Sequence, residues 1–206
     1  MYARVAAFEN RDMSGLDGLI QAVRDREDGG KTFPDALGMY MLVDRPSGTM
    51  LGISIFESED AIRAAEPMFE RMGDEIPEEL RGKRLAVDTF EVAIHEVADD
   101  PVAARVSTFV GDPSAVDKAL RHAVEEVLPE ARKMDGWKGI MVLVDRRTGA
   151  ERTITLWESI KALGASEAQA EEFRNAIAET AKQRLMTVER FEVPLAFDRA
   201  PRLIAV

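Results

Sequence analysis

Arg4 and Arg105 are the side chains best suited to chemistry in this sequence, each beginning a short β-prone run. Side chains alternate across a strand, so residues two apart share a face. Arg4 therefore shares a face with Ala6 and Phe8, and Arg105 with Ser107 and Phe109. By the same rule Ser54 goes with Phe56, and Thr155 with Trp157. A guanidinium beside an aromatic plane and a hydroxyl suits an anionic or phenolate-like ligand, with the cation on the oxygen and the ring stacked. The opposite faces carry Val5, Ile53 and Ile55, then Val106, Ile154 and Leu156. Those aliphatic faces are expected against helices. Arg4, Ser54, Phe56, Arg105, Ser107, Thr155 and Trp157 are then expected between two sheets, as candidate cavity or ligand-binding residues. A structural reading stays open: Arg4 and Arg105 pair with Glu91 and Glu192, and Phe56 and Trp157 are inter-sheet packing.

These residues recur because the sequence repeats at an offset of 101. Ala3-Arg4-Val5 returns as Ala104-Arg105-Val106, and Leu42-Val43-Asp44-Arg45 as Leu143-Val144-Asp145-Arg146. Phe56-Glu57-Ser58 becomes Trp157-Glu158-Ser159, and Phe90-Glu91-Val92 becomes Phe191-Glu192-Val193. About two dozen positions are identical without a gap, which marks two copies of one unit. The expected boundaries are 1–97 and 98–206, with Asp99-Asp100-Pro101 in the link.

Each unit reads strand, helix, strand, strand, helix, strand. Leu16, Leu19, Ile20 and Val23 have helical spacing after Ser14, as do Val116, Leu120, Val124 and Val127 after Asp112-Pro113. Pro129 is expected to end that second run. The loops Asp44–Gly48 and Asp145–Gly149 have hairpin chemistry, with Gly at the position of positive φ. Second helices are expected over 61–72, shortened or broken at Pro67, and over 167–184, with Ser166 and Gln169 at capping-box spacing. Capping is also the reading for Glu57 and Glu158, each before a Ser. Gly29-Gly30 and Gly73–Gly82 read as loops, the latter suited to cover a cavity mouth. The fold class is α+β: two tandem ferredoxin-like βαββαβ units packed sheet to sheet as an intramolecular α+β barrel.

The Ala-Arg-Val starts, the Leu-Val-Asp-Arg-x-x-Gly hairpins, the Ile154–Ser159 block and the closing Phe-Glu-Val resemble the antibiotic biosynthesis monooxygenase family, the dimeric α+β barrels. The resemblance covers nearly the whole chain. It implies a cofactor-independent oxygenase acting on, or binding, a small phenolic or quinol-like aromatic. A non-catalytic binder or a packed structural barrel is the alternative. In the haem-degrading branch Asn, His and Trp carry the chemistry. Trp157 stands at the matching position, Phe56 departs from it, and neither second helix has a His, so haem ligation is not implied.

Composition narrows the classes. The 206 residues carry a net charge of −11, which disfavours nucleic acid as a partner. Residues 1–100 hold all of that charge and the second half is neutral; with Phe56 against Trp157 and Ala6 against Ser107, this divergence of the halves makes any site expected to be asymmetric and nearer the second unit. With no cysteine there is no disulfide or thiolate metal site, and the chain fits the cytoplasm. No apolar run reaches spanning length. No cofactor or metal is expected, since phosphate loops, H-E-x-x-H and EF-hand patterns are absent. His122 reads as a solvated helix residue and His95 as a strand-end residue. The ten methionines read as adaptable packing. A chain that closes its own barrel is expected as a monomer with an internal pseudo-dimer, or as a homodimer.

Overall fold

Four strand-forming blocks in each half become strands with the same spacing. The computed structural model describes residues 1–10, 13–26, 33, 35–76 and 82–205. The first half holds β1 (Tyr2–Glu9), α1 (Leu16–Arg26), β2 (Ala36–Asp44), β3 (Thr49–Phe56), α2 (Glu59–Glu75) and β4 (Lys83–Val97). The second holds β5 (Ala103–Val110), α3 (Val116–His122), α4 (Leu128–Ala131), β6 (Trp137–Asp145), β7 (Ala150–Trp157), α5 (Ile160–Ala165), α6 (Glu167–Ala181), β8 (Arg184–Asp198) and β9 (Leu203–Ile204). Adding 101 to the bounds of β1 to β4 gives those of β5 to β8.

The chain forms two compact units that are not its linear halves. Unit 1 is residues 1–90 with 193–200, and unit 2 is 91–192 with 201–206. The difference from a cut at 97 arises because β4 and β8, at 15 residues each, are long enough to serve both units. The unit 1 sheet runs β4-β1-β3-β2-β8, and the unit 2 sheet runs β8-β5-β7-β6-β4-β9. β1 pairs with β3, and β5 with β7 and β8, all antiparallel, with Arg4 opposite Ser54 and Arg105 opposite both Thr155 and Arg190.

The hairpins follow from their turn residues. Gly48 and Gly149 have φ of 74° and 72°. A Cβ there would lie 2.1 Å from the carbonyl oxygens of Asn10 and Gly111, so only glycine fits. The Asp145 carboxylate accepts from the Thr148 hydroxyl and from the amides of Arg147 and Thr148.

The helices depart from expectation in four places. α2 runs unbroken through Pro67 and on to Glu75, so Gly73 is helical rather than looped. Ser58 and Ser159, not the preceding Glu57 and Glu158, cap their helices, each accepting an amide three residues on at 3.1 Å. Ser166 does not cap with its side chain. It sits in helical backbone between α5 and α6 and donates to the Leu163 carbonyl. Pro129 does not end its run. A π-turn over Ala123–Val127 shifts the hydrogen-bond register, so a proline without N–H is admitted at the start of α4. Gly29-Gly30 and most of the 77–82 stretch lie outside the described residues.

Helices pack on one face of each sheet. In unit 1, Leu16 and Ile20 meet Val43 and Met50, while Ile62 and Phe69 meet Phe33 and Phe56. In unit 2, Val116, Leu120 and Ile177 pack on Ile140, Val142 and Val144. No helix among the described residues is long and apolar enough to cross a membrane.

Candidate functional site

The helix-side face of the unit 1 sheet is the one that carries Arg4. Its guanidinium donates from Nε and Nη2 to the two carboxylate oxygens of Glu66 on α2, at 2.7 and 3.2 Å. It also lies 4.1 Å from the centre of the Phe69 ring. Phe69 stacks on Phe33 at 4.4 Å and meets Phe56 edge-on at 6.3 Å. This reverses the expected faces: Arg4, Ser54 and Phe56 point toward α2, and Val5, Ile53 and Ile55 occupy the opposite, equally buried face. A buried guanidinium needs a carboxylate and a π-face, and α2 supplies both.

Beside this pair a cavity of about 390 Å³ opens between the sheet and its helices. Arg4 and Ser54 line it, and Met39, Met41, Met50 and Met72 give it soft apolar walls. Phe56 is in the adjoining aromatic cluster. The space exists because Gly52 on β3 and Gly73 on α2 carry no side chain: a Cβ on either would meet no atom within 4 Å. At the rim Arg84 pairs with Glu70 at 2.8 Å, and that pair holds the Glu70 carboxyl below its usual range. The Tyr40 phenol donates to Asp198. Burial first, and then Asp198, push its ionisation upward, so it stays protonated.

Unit 2 repeats the arginine but replaces the glycines with larger side chains. The positions 101 beyond Gly52, Gly73 and Gly82 are Thr153, Arg174 and Gln183. Gln183 donates to the buried Glu151 carboxylate at 3.0 Å, and Thr153 donates to it at 2.9 Å. Burial raises the Glu151 ionisation. Arg105 points at the helices, as Arg4 does. It donates from Nη2 to the Leu163 carbonyl at 2.7 Å and to the Ser166 hydroxyl at 2.9 Å, and from Nε to Glu167 at 3.2 Å. The partners are thus Glu66 and Glu167 on the helices, where the sequence reading offered Glu91 and Glu192. Glu91 instead pairs with Arg146 at 2.8 Å.

The remaining residues of the set are brought to the same face. Trp157 is buried, edge-on to Trp137 at 5.5 Å, and 5.7 Å from the Arg105 guanidinium. Its indole N–H donates to Thr155 at 3.1 Å, so that hydroxyl is already engaged. Ser107 is buried on the Arg105 strand. The histidines stand apart. His95 is an interior residue of β4, enclosed because β6 and β9 pair on either side of it. His122 is half-buried, rather than solvated, with Nε2 enclosed.

No protein-family model matches the chain. It is similar to two uncharacterized proteins of Mycobacterium tuberculosis. One is 28% identical over 172 residues, 82% of this chain and 76% of that protein. The other is 24% identical over 210 residues, 99% of this chain and 88% of that protein. Among solved structures it is similar to an anthrone oxidase-like protein, with a TM-score of 0.64 and 15% identity, covering 100% of this chain and 96% of that one. A monooxygenase-like protein from Listeria innocua gives 0.56 and 8% identity over 93% and 94% of the chains. An uncharacterized ferredoxin fold protein related to antibiotic biosynthesis monooxygenases, from Listeria monocytogenes, gives 0.52 and 8% over 94% and 95%. The fold is of the antibiotic biosynthesis monooxygenase type.

On this monooxygenase-type fold the residues absent from the sequence reading are Glu66, Phe69 and Gly52; Glu167 enters it only as a helix start and Gly73 only as the start of a loop over a cavity mouth. Glu66 and Glu167 are identical across the 101-residue offset, so the repeat itself carried their signal. Gly52 and Gly73 carried the opposite signal, glycine in one copy against Thr153 and Arg174 in the other.

Proposed function

We propose that the chain is a cofactor-independent, monooxygenase-like protein that binds a small phenolic or quinol-like aromatic in the unit 1 cavity. The constant offset of 101 residues supports reading the chain as two copies of one unit, and the cavity described lies in the first. The observation that carries the proposal is the cavity itself. Its volume suits a ligand of two or three fused rings, and its walls are mostly apolar, with Glu70, Asp74 and Arg84 at the rim and one polar end inside. That end holds Ser54 and Arg4, whose Nε and Nη2 are the nitrogens engaged by Glu66. A phenolate oxygen bound there meets a cation and a hydroxyl, which stabilise its negative charge. The fold likeness to an anthrone oxidase-like protein agrees with a fused-ring phenolic substrate.

Binding without turnover is the second reading, and one contact favours it. Glu66 already neutralises much of the Arg4 charge. Oxygen uptake measured with a panel of hydroxylated anthracenes and naphthols separates the readings. Uptake that is lost in R4A supports the oxygenase. Saturable binding without uptake supports the binder. No binding by any member of the panel overturns both.

A further inference from the structure

The unit 2 carboxylate Glu167 carries three arginines. Arg174 donates from Nη2 to Oε1 at 2.6 Å, Arg190 donates from Nη2 to Oε2 at 2.7 Å, and Arg105 lies 3.0 Å from Oε2. The corresponding positions of unit 1 are Glu66, Gly73, Thr89 and Arg4, one cation to one anion. Unit 2 therefore holds two surplus positive charges at a point where unit 1 is balanced.

Two of the three cations are interior. Arg105 is 2% exposed and Arg174 is 9% exposed. Nη1 of Arg105 and both Nε and Nη1 of Arg174 are enclosed with no hydrogen-bond partner among the described residues. Each such donor forfeits the hydrogen bonds that water would give, and an uncompensated buried cation is more unfavourable still. Burial, and then the charges of Arg174 and Arg190, work against the protonation of Arg105 while Glu167 supports it. The guanidinium still stays charged, because its ordinary value is so high. Arg190 is half exposed and forms the solvent side of the cluster.

We infer that Arg105, Arg174 and Arg190 form a second binding site, for a compact oxyanion: a carboxylate or an inorganic phosphate. Planar forks of N–H donors are matched to the paired oxygens of either group. The site is distinct from the unit 1 cavity and does not depend on the aromatic-ligand reading. An oxyanion entering beside Arg190 accepts from the donors that Glu167 leaves unfilled and cancels the surplus charge.

The test is thermal unfolding of the full chain in increasing inorganic phosphate, and separately in acetate, with chloride at matched ionic strength. A saturable rise in the melting midpoint is expected, about 5 °C at a hundredfold excess over Kd. Phosphate alone, or acetate alone, giving the rise identifies which oxyanion the site takes. The rise should shrink in R174Q and in R190Q, the latter an exposed position that leaves the fold intact if R174Q does not fold. No rise with either anion overturns the site. So does an equal rise in chloride, or a full rise retained in R190Q and in folded R174Q.

Discussion

Arg4 reaches across from its strand to Glu66 on the covering helix, and the two are 62 residues apart. Arg105 and Glu167 have the same separation and the same strand-to-helix direction. The pair ties each sheet to its helix layer, and the surroundings then decide its use. In unit 1 it borders open space, and in unit 2 it sits in a crowd of cations.

Removing the carboxylate from unit 1 strands a buried guanidinium. Breaking a fully buried pair is worth about 3–5 kcal/mol. Glu66 is over a third exposed, so E66A is expected to lose about 2 kcal/mol, less than a full burial figure, because solvent screens the pair. Urea unfolding measures it. The double variant R4M/E66L should recover most of the loss.

Filling the cavity separates binding from folding. G73R places in α2 the residue found 101 positions later. Open space receives the side chain, and leaving glycine in a helix gains about 0.8 kcal/mol. Stability should hold or rise slightly, while affinity for an aromatic ligand falls by about tenfold or more, roughly 1.4 kcal/mol. Ligand titration by tryptophan-independent calorimetry reads the loss.

The cluster in unit 2 makes stability depend on acid. Burial would raise the Glu167 carboxyl, but hydrogen bonds from Arg190 and Arg174 and the charge of Arg105 hold it down at about 2. Its folded value is thus below its unfolded value of 4.5. The stabilisation is present above the unfolded value and is lost as pH falls from about 5 toward 2, amounting to about 1–2 kcal/mol once solvent screening of the cluster is allowed for. Denaturant midpoints between pH 6 and 2 should fall for the natural sequence. In E167Q the Glu167 part of that slope should vanish.

The second hairpin depends on one glycine. G149A forces a Cβ to within 2.1 Å of the Gly111 carbonyl oxygen at a φ of 72°. A loss of about 2 kcal/mol is expected. Unfolding of G149A beside the exposed-strand control T187A checks that the effect belongs to the turn.

The strand blocks and hairpins were legible because their residues recur at one spacing, and every strand of the first half has its counterpart at that spacing. The direction of the faces was not legible. Val5, Ile53 and Ile55 are buried on one side while Arg4, Ser54 and Phe56 are buried on the other. Alternation reveals a core only when the second face meets water. With both faces covered, polarity misleads: the arginine lies under the helix and the aliphatic residues lie opposite. The open cavity was illegible for a related reason. It is made of what Gly52 and Gly73 lack, and a missing side chain gives no periodic signal.

The long strands β4 and β8 carry a consequence for cutting the chain. A fragment ending at residue 97 would keep β2 but lose the closing segment of β8 that lies beside it, leaving a row of amides and carbonyls with no neighbour. A fragment starting at residue 98 would leave β6 equally bare on the side where β4 pairs. The gene can be divided at its repeat, but the product cannot: each piece would be sticky until it met the other, and the two mixed together should reassemble where either alone precipitates.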